Sequence, residues 1–468
     1  MNVKAAFGLS PQMLRRAAPA GLAIGIVYTL SPLMVWFAIG IVPVIWYATR
    51  GLDSDERRWV TRMIIAAVAL RLIAVAGLFL LTDHSRVAFG TFFGDEEYFI
   101  ERSLWLRNAA LGIPLHGADL ASAFDPSGAS SYLYLLALIQ ILVGPAPYGL
   151  HFLGILFYLL AATLLYRLVR STLGRMPALL GLTVLLLLPS LFAWSVSALK
   201  EPLFVLLSAL NLVVAVKLVR APSWRSRALA LTALVALAAV LESLRQGGAV
   251  LGVLSVVIGL TIGFVATRPR LLLASLVATP ILIGAVLSRP EVQLKGFVAI
   301  RSAASQHWAY VTLSPGFGYK TLEEHFYAET SNIPNLRLGE AVRFVVRGIV
   351  AYVTVPLPWQ AQSRAAVAYL PEQIVWYLLA VLAPVGLLFA FRRDPTVAGL
   401  LLGHALVIAF AVAITGGNVG TLVRHRSLVL PYLVWLSAVG ACELLSNRRS
   451  FAPVAVTLTP RIMAGRLV

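Results

Sequence analysis

The chain has 468 residues, of which 59 % are hydrophobic and 12 % charged, and its mean hydropathy is +0.86. This composition excludes a soluble globular protein, and the apolar runs lack the period-two alternation of a membrane barrel. The net charge of +18 is attributed to basic loops beside anionic lipid, since no nucleic-acid-binding module is found. With Cys442 as the only cysteine, there is no disulfide framework and no cysteine-rich metal site.

Apolar runs of about 20 residues, the length that crosses a bilayer as a helix, follow one another along the chain. They cover residues 62–82, 148–168, 178–197, 202–219, 228–243, 248–267, 270–288, 373–391, 397–415 and 428–445. An earlier block, 19–48, predicts either a tight helical hairpin or one tilted helix. We therefore predict an all-α polytopic transmembrane helical bundle of about 10–12 spans, with interfacial helices in the outer loops.

Basic clusters between these runs predict the orientation, because cytoplasmic loops are enriched in Arg and Lys. All of the clusters share one side if Asp95 lies outside and the short apolar segment Tyr132–Gly144 is re-entrant or interfacial. The clusters are Arg50/Arg57/Arg58/Arg62, Arg167/Arg170/Arg175, Lys217/Arg220/Arg225/Arg227, Arg268/Arg270, Arg392/Arg393 and Arg448/Arg449. We expect a bacterial cytoplasmic membrane, with the active site facing the periplasm or the exterior.

Residues 1–468 are expected to form a single transmembrane domain with two notable outer loops. The first outer loop, 83–147, carries an acidic motif. The long outer loop, 289–372, has no recognisable soluble domain. Within it, Glu340–Val355 places Arg343 and Arg347 one turn apart among apolar residues, which predicts an interfacial amphipathic helix.

The acidic motif is Phe93-Gly94-Asp95-Glu96-Glu97-Tyr98, three adjacent carboxylates in a very apolar chain. A carboxylate can take the proton of an attacking hydroxyl, so Asp95 and Glu96 are the candidate catalytic residues. The structural alternative is that the acids stabilise the N-terminal turn of a helix over 95–109. Adjacent acids can also hold a divalent cation, although the sequence does not require a metal or any other cofactor.

Outer cations provide candidates for phosphate binding. Lys200 either contacts a phosphate or simply extends to the membrane surface. Arg245 either pairs with Glu242 or, if the glycines at 247 and 248 break the helix, binds an anionic ligand. A glycine-rich turn precedes Arg424, and arginine suits phosphate because of its planar donor set. The predicted substrate-binding set is Tyr98, Lys200, Glu201, Arg245, Arg424, His425 and Arg426.

Arg71 is the one charge in the middle of a span, where charge is costly, and we expect it to pair with a carboxylate.

These motifs resemble the integral-membrane glycosyltransferases of the C superfamily, particularly bacterial relatives of protein O-mannosyltransferases and aminoarabinose transferases. The resemblance covers residues 60–445. It rests on Gly94-Asp95-Glu96-Glu97-Tyr98, Ser131-Tyr132-Leu133-Tyr134-Leu135-Leu136, Tyr166-Arg167-Leu168-Val169-Arg170, Leu199-Lys200-Glu201 and the Arg-rich segment 417–426 with Pro431. The chain departs from the family in its extra hydrophobic block 19–48 and in the loop 289–372.

The resemblance implies a polyprenyl-phosphate-linked sugar donor, a glycan, lipid or protein acceptor, and inversion at the anomeric carbon. Asp95 would deprotonate the acceptor hydroxyl. The leaving phosphate would be stabilised by Lys200, Arg245, Arg424 and Arg426.

Three other interpretations remain open, and one of them is a non-catalytic assembly subunit. A polysaccharide polymerase or ligase using a lipid-diphosphate-linked glycan would also have a large outer loop with arginines. A lipid or glycan transporter would instead place polar residues inside several spans.

Overall fold

The computed structural model describes residues 31–124, 131–312, 337–360 and 364–450, together with positions 19, 21, 321 and 322. Within these ranges the chain forms α-helices and one 3-10 helix, Pro358–Gln360, and no strand. The first helices are α1 Pro32–Thr49, α2 Ser54–Leu81, α3 Asp95–Ala110, α4 Gly117–Ala123, α5 Ser131–Val143, α6 Leu150–Thr172, α7 Arg175–Leu187, α8 Pro189–Ser195 and α9 Glu201–Arg220. The others are α10 Trp224–Leu244, α11 Gly248–Ala266, α12 Pro269–Leu287, α13 Pro290–Thr312, α14 Leu338–Thr354, α15 Arg364–Arg393, α16 Pro395–Thr415, α17 Val419–Arg426 and α18 Leu430–Ser450.

Nine of the described helices are long and apolar enough to cross a membrane: α1, α2, α6, α9, α10, α11, α12, α15 and α16. The bent pairs α7–α8 and α17–α18 raise this to eleven if each pair forms one span. The protein is therefore an all-α, multi-pass membrane bundle, as the hydropathy predicts. In the block 19–48, α1 is a single helix, and the rest of the predicted hairpin falls largely outside the described residues.

Pro189 divides the predicted span 178–197 into α7 and α8, which meet at 63°. Proline has no amide hydrogen and excludes the preceding residue from the helical region, and Leu188 is extended at φ −61° and ψ 126°. The Leu185 carbonyl, which thereby loses its helical partner, accepts a hydrogen bond from Tyr158 Oη at 2.6 Å. The break is thus stabilised by a side chain of α6.

Arg71 stabilises the same break, and the prediction of a carboxylate partner for it is wrong. Its guanidinium is fully buried and donates from Nη2 to the Leu186 carbonyl at 3.1 Å. Its Nε donates to Ser195 Oγ at 2.7 Å, and the group lies 5.0 Å from the Phe192 ring centroid. The carbonyl left without a helical partner beside Pro189 is the acceptor that this buried cation reaches.

The helices α11 and α16 approach so closely that glycine is required at their crossing. A Cβ on Gly259 would lie 2.7 Å from Leu400 Cα, and one on Gly403 would lie 2.6 Å from the Gly259 backbone. Small residues allow such close approach in membranes, where helix association depends on van der Waals contact.

Four of the six predicted basic clusters meet at one end of the bundle, named here the basic end. Glu56 of α2 is fully buried there and accepts hydrogen bonds from Arg170 Nε at 2.7 Å and Nη2 at 2.8 Å. Other contacts at this end are Arg175 with Asp53, Arg167 with the Arg50 carbonyl, Arg220 with Asp394, and Arg393 with Glu443. The acidic motif of the first outer loop and the residues Lys200, Glu201 and Arg424 make contacts at the opposite end, named here the site end.

Short helices of the first outer loop form a small core of their own at the site end. Leu106 of α3, Ala123 of α4, and Leu133 and Ala137 of α5 pack together there. At 13 residues, or about 20 Å, α5 is too short to cross a bilayer, as predicted for Tyr132–Gly144. The amphipathic helix predicted at Glu340–Val355 is α14.

Candidate functional site

At the site end, Arg424 joins two carboxylates that are far apart in the sequence. Its Nη1 donates to Asp95 Oδ2, and its Nη2 donates to Glu201 Oε1 at 2.8 Å. The Asp95 side chain is 62 % exposed, whereas that of Glu201 is 5 % exposed. The three segments meet because Asp95 and Glu201 lie in the first turns of α3 and α9, and Arg424 lies in the last turn of the short helix α17. The arrangement presents one open carboxylate beside one buried carboxylate.

An aromatic platform lies beside this group. The Arg424 guanidinium is 5.0 Å from the indole centroid of Trp194, a distance that allows a cation–π contact. The ring of Phe93 stacks on Trp194 with centroids 3.7 Å apart. Trp194 belongs to α8, so the helix break at Pro189 determines where the indole lies.

Glu96 differs from its neighbour Asp95 because it is fully buried. Its Oε1 accepts a hydrogen bond from the Phe93 N–H at 3.0 Å, and its Oε2 accepts one from the Ala198 N–H at 3.2 Å. Glu96 therefore ties the acidic loop to the turn before α9. This burial does not favour the catalytic role predicted for Glu96, and it favours a role in positioning Asp95.

A buried histidine completes the Glu96 contact. His151 Nε2 lies 2.9 Å from Glu96 Oε2, and His151 Nδ1 lies 3.1 Å from the Tyr148 carbonyl. A carbonyl can only accept, so Nδ1 carries a hydrogen, and a second proton must lie between Nε2 and the carboxylate. The pair is either imidazolium with carboxylate or imidazole with carboxylic acid, and in both forms a buried hydrogen bond fixes the loop.

The turn between α8 and α9 has a second anchor in α5. Tyr132 is almost fully buried, and its Oη donates to the Ala198 carbonyl at 3.0 Å. Ala198 is thus held through its carbonyl by Tyr132 and through its N–H by Glu96. This turn leads directly into Lys200 and Glu201.

Lys200 and Arg245 lie at the junction of α9 with α10. Lys200 Nζ donates to the Leu244 carbonyl, the last of α10, at 3.3 Å. The helix ends there because Arg245 is extended, at φ −151° and ψ 124°. Gly247 then adopts a left-handed φ of 80° before α11 begins, so the helix breaks at the glycine pair as predicted. Glu242 accepts hydrogen bonds from the Gly247 and Ala249 N–H groups, each at 3.0 Å.

Arg245 is therefore not engaged by Glu242, and among the described residues its guanidinium has no hydrogen-bond or ion-pair partner. Lys200, Arg245 and Arg424 are each close enough to the buried His425 for their charges to act on its imidazole. His425 is 5 % exposed, and its Nδ1 has no hydrogen-bond partner among the described residues. The cations thus converge around an imidazole.

Arg426 does not join this cluster, although it was predicted to bind substrate. Its guanidinium is 1 % exposed, donates from Nε to the Tyr352 carbonyl at 3.1 Å and from Nη1 to Gln373 Oε1 at 3.0 Å. It also lies 4.6 Å from the Trp376 ring centroid. These contacts join α17 to α14 and α15, so the placement favours a structural role.

Tyr98 lies one turn into α3. The Arg102 guanidinium lies 4.2 Å from the centroid of the half-buried Tyr98 ring, and that ring packs against Phe99. Further along the same face, burial, together with the neighbouring Glu97 and Asp119, raises the pKa of Glu101. This part of α3 therefore packs the outer-loop core rather than the Asp95 group.

The structure adds two residues that sequence reasoning missed, His151 and Trp194. Neither belongs to a motif or a spacing that indicates its role, because their partners lie in other segments of the chain. Phe93 and Tyr132 were named only as parts of longer motifs, and the structure gives each a specific contact. Within the described ranges, no three His, Cys, Asp or Glu side chains lie together as a metal site requires.

Comparison of the chain with protein-family models, curated proteins and solved structures gave no match. The class established for this protein is an all-α, multi-pass membrane bundle with a charged cluster at one end.

Proposed function

We propose that this protein is a membrane glycosyltransferase that moves a sugar from a polyprenyl-phosphate-linked donor to an acceptor hydroxyl. The observation that carries the proposal is the open Asp95 carboxylate, which Arg424 joins to Glu201, the residue that follows Lys200. A general base and an anion-binding group are the two parts that this transfer requires. The acceptor is the hydroxyl of a glycan, a lipid or a protein.

The base has a free acceptor atom in this arrangement. Among the described residues, Arg424 engages Asp95 through Oδ2, so Oδ1 is open to an acceptor hydroxyl. In the proposed step the hydroxyl proton passes to Oδ1 while the acceptor oxygen bonds to the anomeric carbon. The bond from that carbon to the phosphate oxygen breaks, the phosphate leaves with the electron pair, and the configuration inverts.

The charges of the cluster fit the leaving group. Two carboxylates, Asp95 and Glu201, already share the Arg424 guanidinium. Lys200 and Arg245 then supply two further positive charges, and a polyprenyl monophosphate leaves with a charge of about −2. Cations preorganised where charge develops lower the barrier most effectively.

Glu201 provides an acceptor for the sugar. Its Oε2 is buried and accepts no hydrogen bond from any described residue. A buried acceptor without a donor is costly, so a ligand that supplies a donor gains affinity there. A sugar hydroxyl is such a donor, and it would lie beside the same guanidinium that holds Asp95.

This function fits a bacterial cytoplasmic membrane in which the basic end is cytoplasmic and the site end faces the periplasm or exterior. A site supplied by a lipid-linked donor draws its activated sugar from the bilayer and needs no soluble nucleotide.

The test is transfer from a polyprenyl-phosphate-linked sugar in membranes containing Asp95→Asn. We expect loss of transfer by at least 100-fold, because the amide cannot accept the proton, with normal insertion and amount of protein. Glu97→Gln, a neighbouring exposed carboxylate, is the matched control and should retain transfer. Wild-type rates in Asp95→Asn would refute the assignment of the base.

A further inference from the structure

A cleft of about 460 Å³ opens at the basic end, far from the Asp95 group. It follows the seam between α9 and α10, two antiparallel spans joined by the short turn 221–223. Its lining consists of Val214, Lys217, Arg220, Ala221, Pro222, Ser226, Leu229, Ala230 and Ala233.

The lining changes from polar to apolar with depth. Lys217, Arg220 and Ser226 lie within a turn or two of the loop, whereas Val214 and Ala233 lie farther along the two helices. Seven residues of helix separate position 214 from position 221, which is about 10 Å. The cleft thus has a cationic mouth and an apolar floor, and small alanine side chains keep that floor open.

The cations at the mouth are incompletely neutralised. Arg220 pairs with Asp394, while Lys217 is exposed and has no hydrogen-bond or ion-pair partner among the described residues. Arg227 Nε also donates to the Ala221 carbonyl of the lining at 3.2 Å, so positive charge exceeds negative charge at the mouth, which suits an anionic phosphodiester. Trp224, 75 % exposed beside the mouth, is of the type that lies at headgroup level in membranes.

We propose that this cleft binds one anionic phospholipid of the surrounding bilayer. The phosphodiester lies between Lys217 and Arg220, and the first methylenes of one acyl chain lie along Ala230 and Ala233. A free phosphate would use the mouth and leave the apolar floor wet, and a zwitterionic lipid would lose the charge match. The site is independent of the proposed sugar transfer.

The probe is a bilayer nanodisc containing equal amounts of phosphatidylglycerol and phosphatidylcholine, from which the full-length protein is released for native mass spectrometry. We expect wild type to retain phosphatidylglycerol in preference to phosphatidylcholine. Lys217→Gln should reduce that preference about fivefold, since one cation near a headgroup contributes about that factor. Lys217→Arg should retain the preference.

Two further variants separate the cleft from general surface charge. Ala233→Phe fills the apolar floor without changing any charge and should also remove the retained phosphatidylglycerol. Arg268→Gln removes an exposed cation from the loop between α11 and α12, away from the cleft, and should leave retention unchanged. Each variant is first checked for a wild-type unfolding temperature.

Equal retention of the two lipids by wild type would overturn the proposal. So would an equal loss in Lys217→Gln and Arg268→Gln, which would indicate attraction by net charge alone. If Lys217→Gln fails to insert, Ala233→Phe decides the question, and unchanged retention in that variant would overturn the site.

Discussion

At the scale of single residues, the site depends on one guanidinium that holds an exposed and a buried carboxylate together. Arg424 connects Asp95 to Glu201, and the two acids differ strongly in exposure although both contact the same group. The buried pair Glu96–His151 fixes the loop that carries Asp95. A lone acidic triplet thus divides into an open carboxylate and a structural one.

Substitution of Arg245 tests the anion-binding role, because loss of its guanidinium disturbs no hydrogen bond or ion pair among the described residues. In Arg245→Gln we expect the KM for the lipid-linked donor to rise about tenfold, since a charge-assisted contact to phosphate contributes about 1.5–3 kcal/mol. The acceptor KM should stay the same. Arg86→Gln, whose side chain is 84 % exposed at the same end, is the control. A rise in the acceptor KM alone would contradict phosphate recognition.

Glu96 and His151 are expected to act as one unit in positioning Asp95. Glu96→Gln and His151→Gln should each lower kcat about 100-fold, because a shift of about 1 Å in a reacting group has an effect of that size. The donor KM should change little, since neither side chain contacts the ligand. The double variant should lose little more than either single variant. Additive losses would show that the two residues act separately.

At the scale of helices, one proline determines where the helix that carries Trp194 begins. Pro189 ends α7, and the separate helix α8 then carries Trp194 and leads to the turn that Glu96 and Tyr132 hold. Side chains from α2 and α6 stabilise the carbonyls that the proline leaves without helical partners. A buried arginine in a span is therefore explained by backbone carbonyls together with Ser195 Oγ, without a carboxylate partner among the described residues.

Arg71→Met should destabilise the fold, because the methionine fills the volume and leaves the Leu186 carbonyl and Ser195 Oγ without their donor. We expect a loss of about 2–4 kcal/mol, measured by thermal unfolding in a defined detergent, and reduced transfer. Arg71→Lys keeps the charge but cannot reach several acceptors at once, so its loss should be intermediate. Wild-type stability of Arg71→Met would contradict this role.

At the scale of the whole molecule, charge is segregated between the two ends of the bundle. Glu56, Asp53 and Asp394 pair with the arginines of the basic end, while Asp95, Glu201 and Arg424 meet at the other. From the positive-inside rule we propose that the basic end is cytoplasmic.

Cysteine labelling tests that orientation. In a Cys442→Ala background, Ser85→Cys lies in the loop before Asp95, and Ser171→Cys lies at the end of α6 near Arg170; both positions are exposed. We expect a membrane-impermeant maleimide to label position 85 in intact cells and position 171 only after permeabilisation. The reverse pattern would contradict the predicted orientation.

The sequence by itself determined the helical membrane class, the approximate spans and the grouping of basic clusters. These follow from the length of each apolar run and the Arg and Lys content of each loop, which are properties of local sequence. It also singled out Asp95, Arg245 and Arg424 through local composition. Only the tertiary structure decided that Glu96 and Arg426 are buried, and that Arg71 bonds carbonyls beside Pro189. Hydrogen bonds between segments some 100 residues apart depend on how helices pack, and no local pattern specifies them.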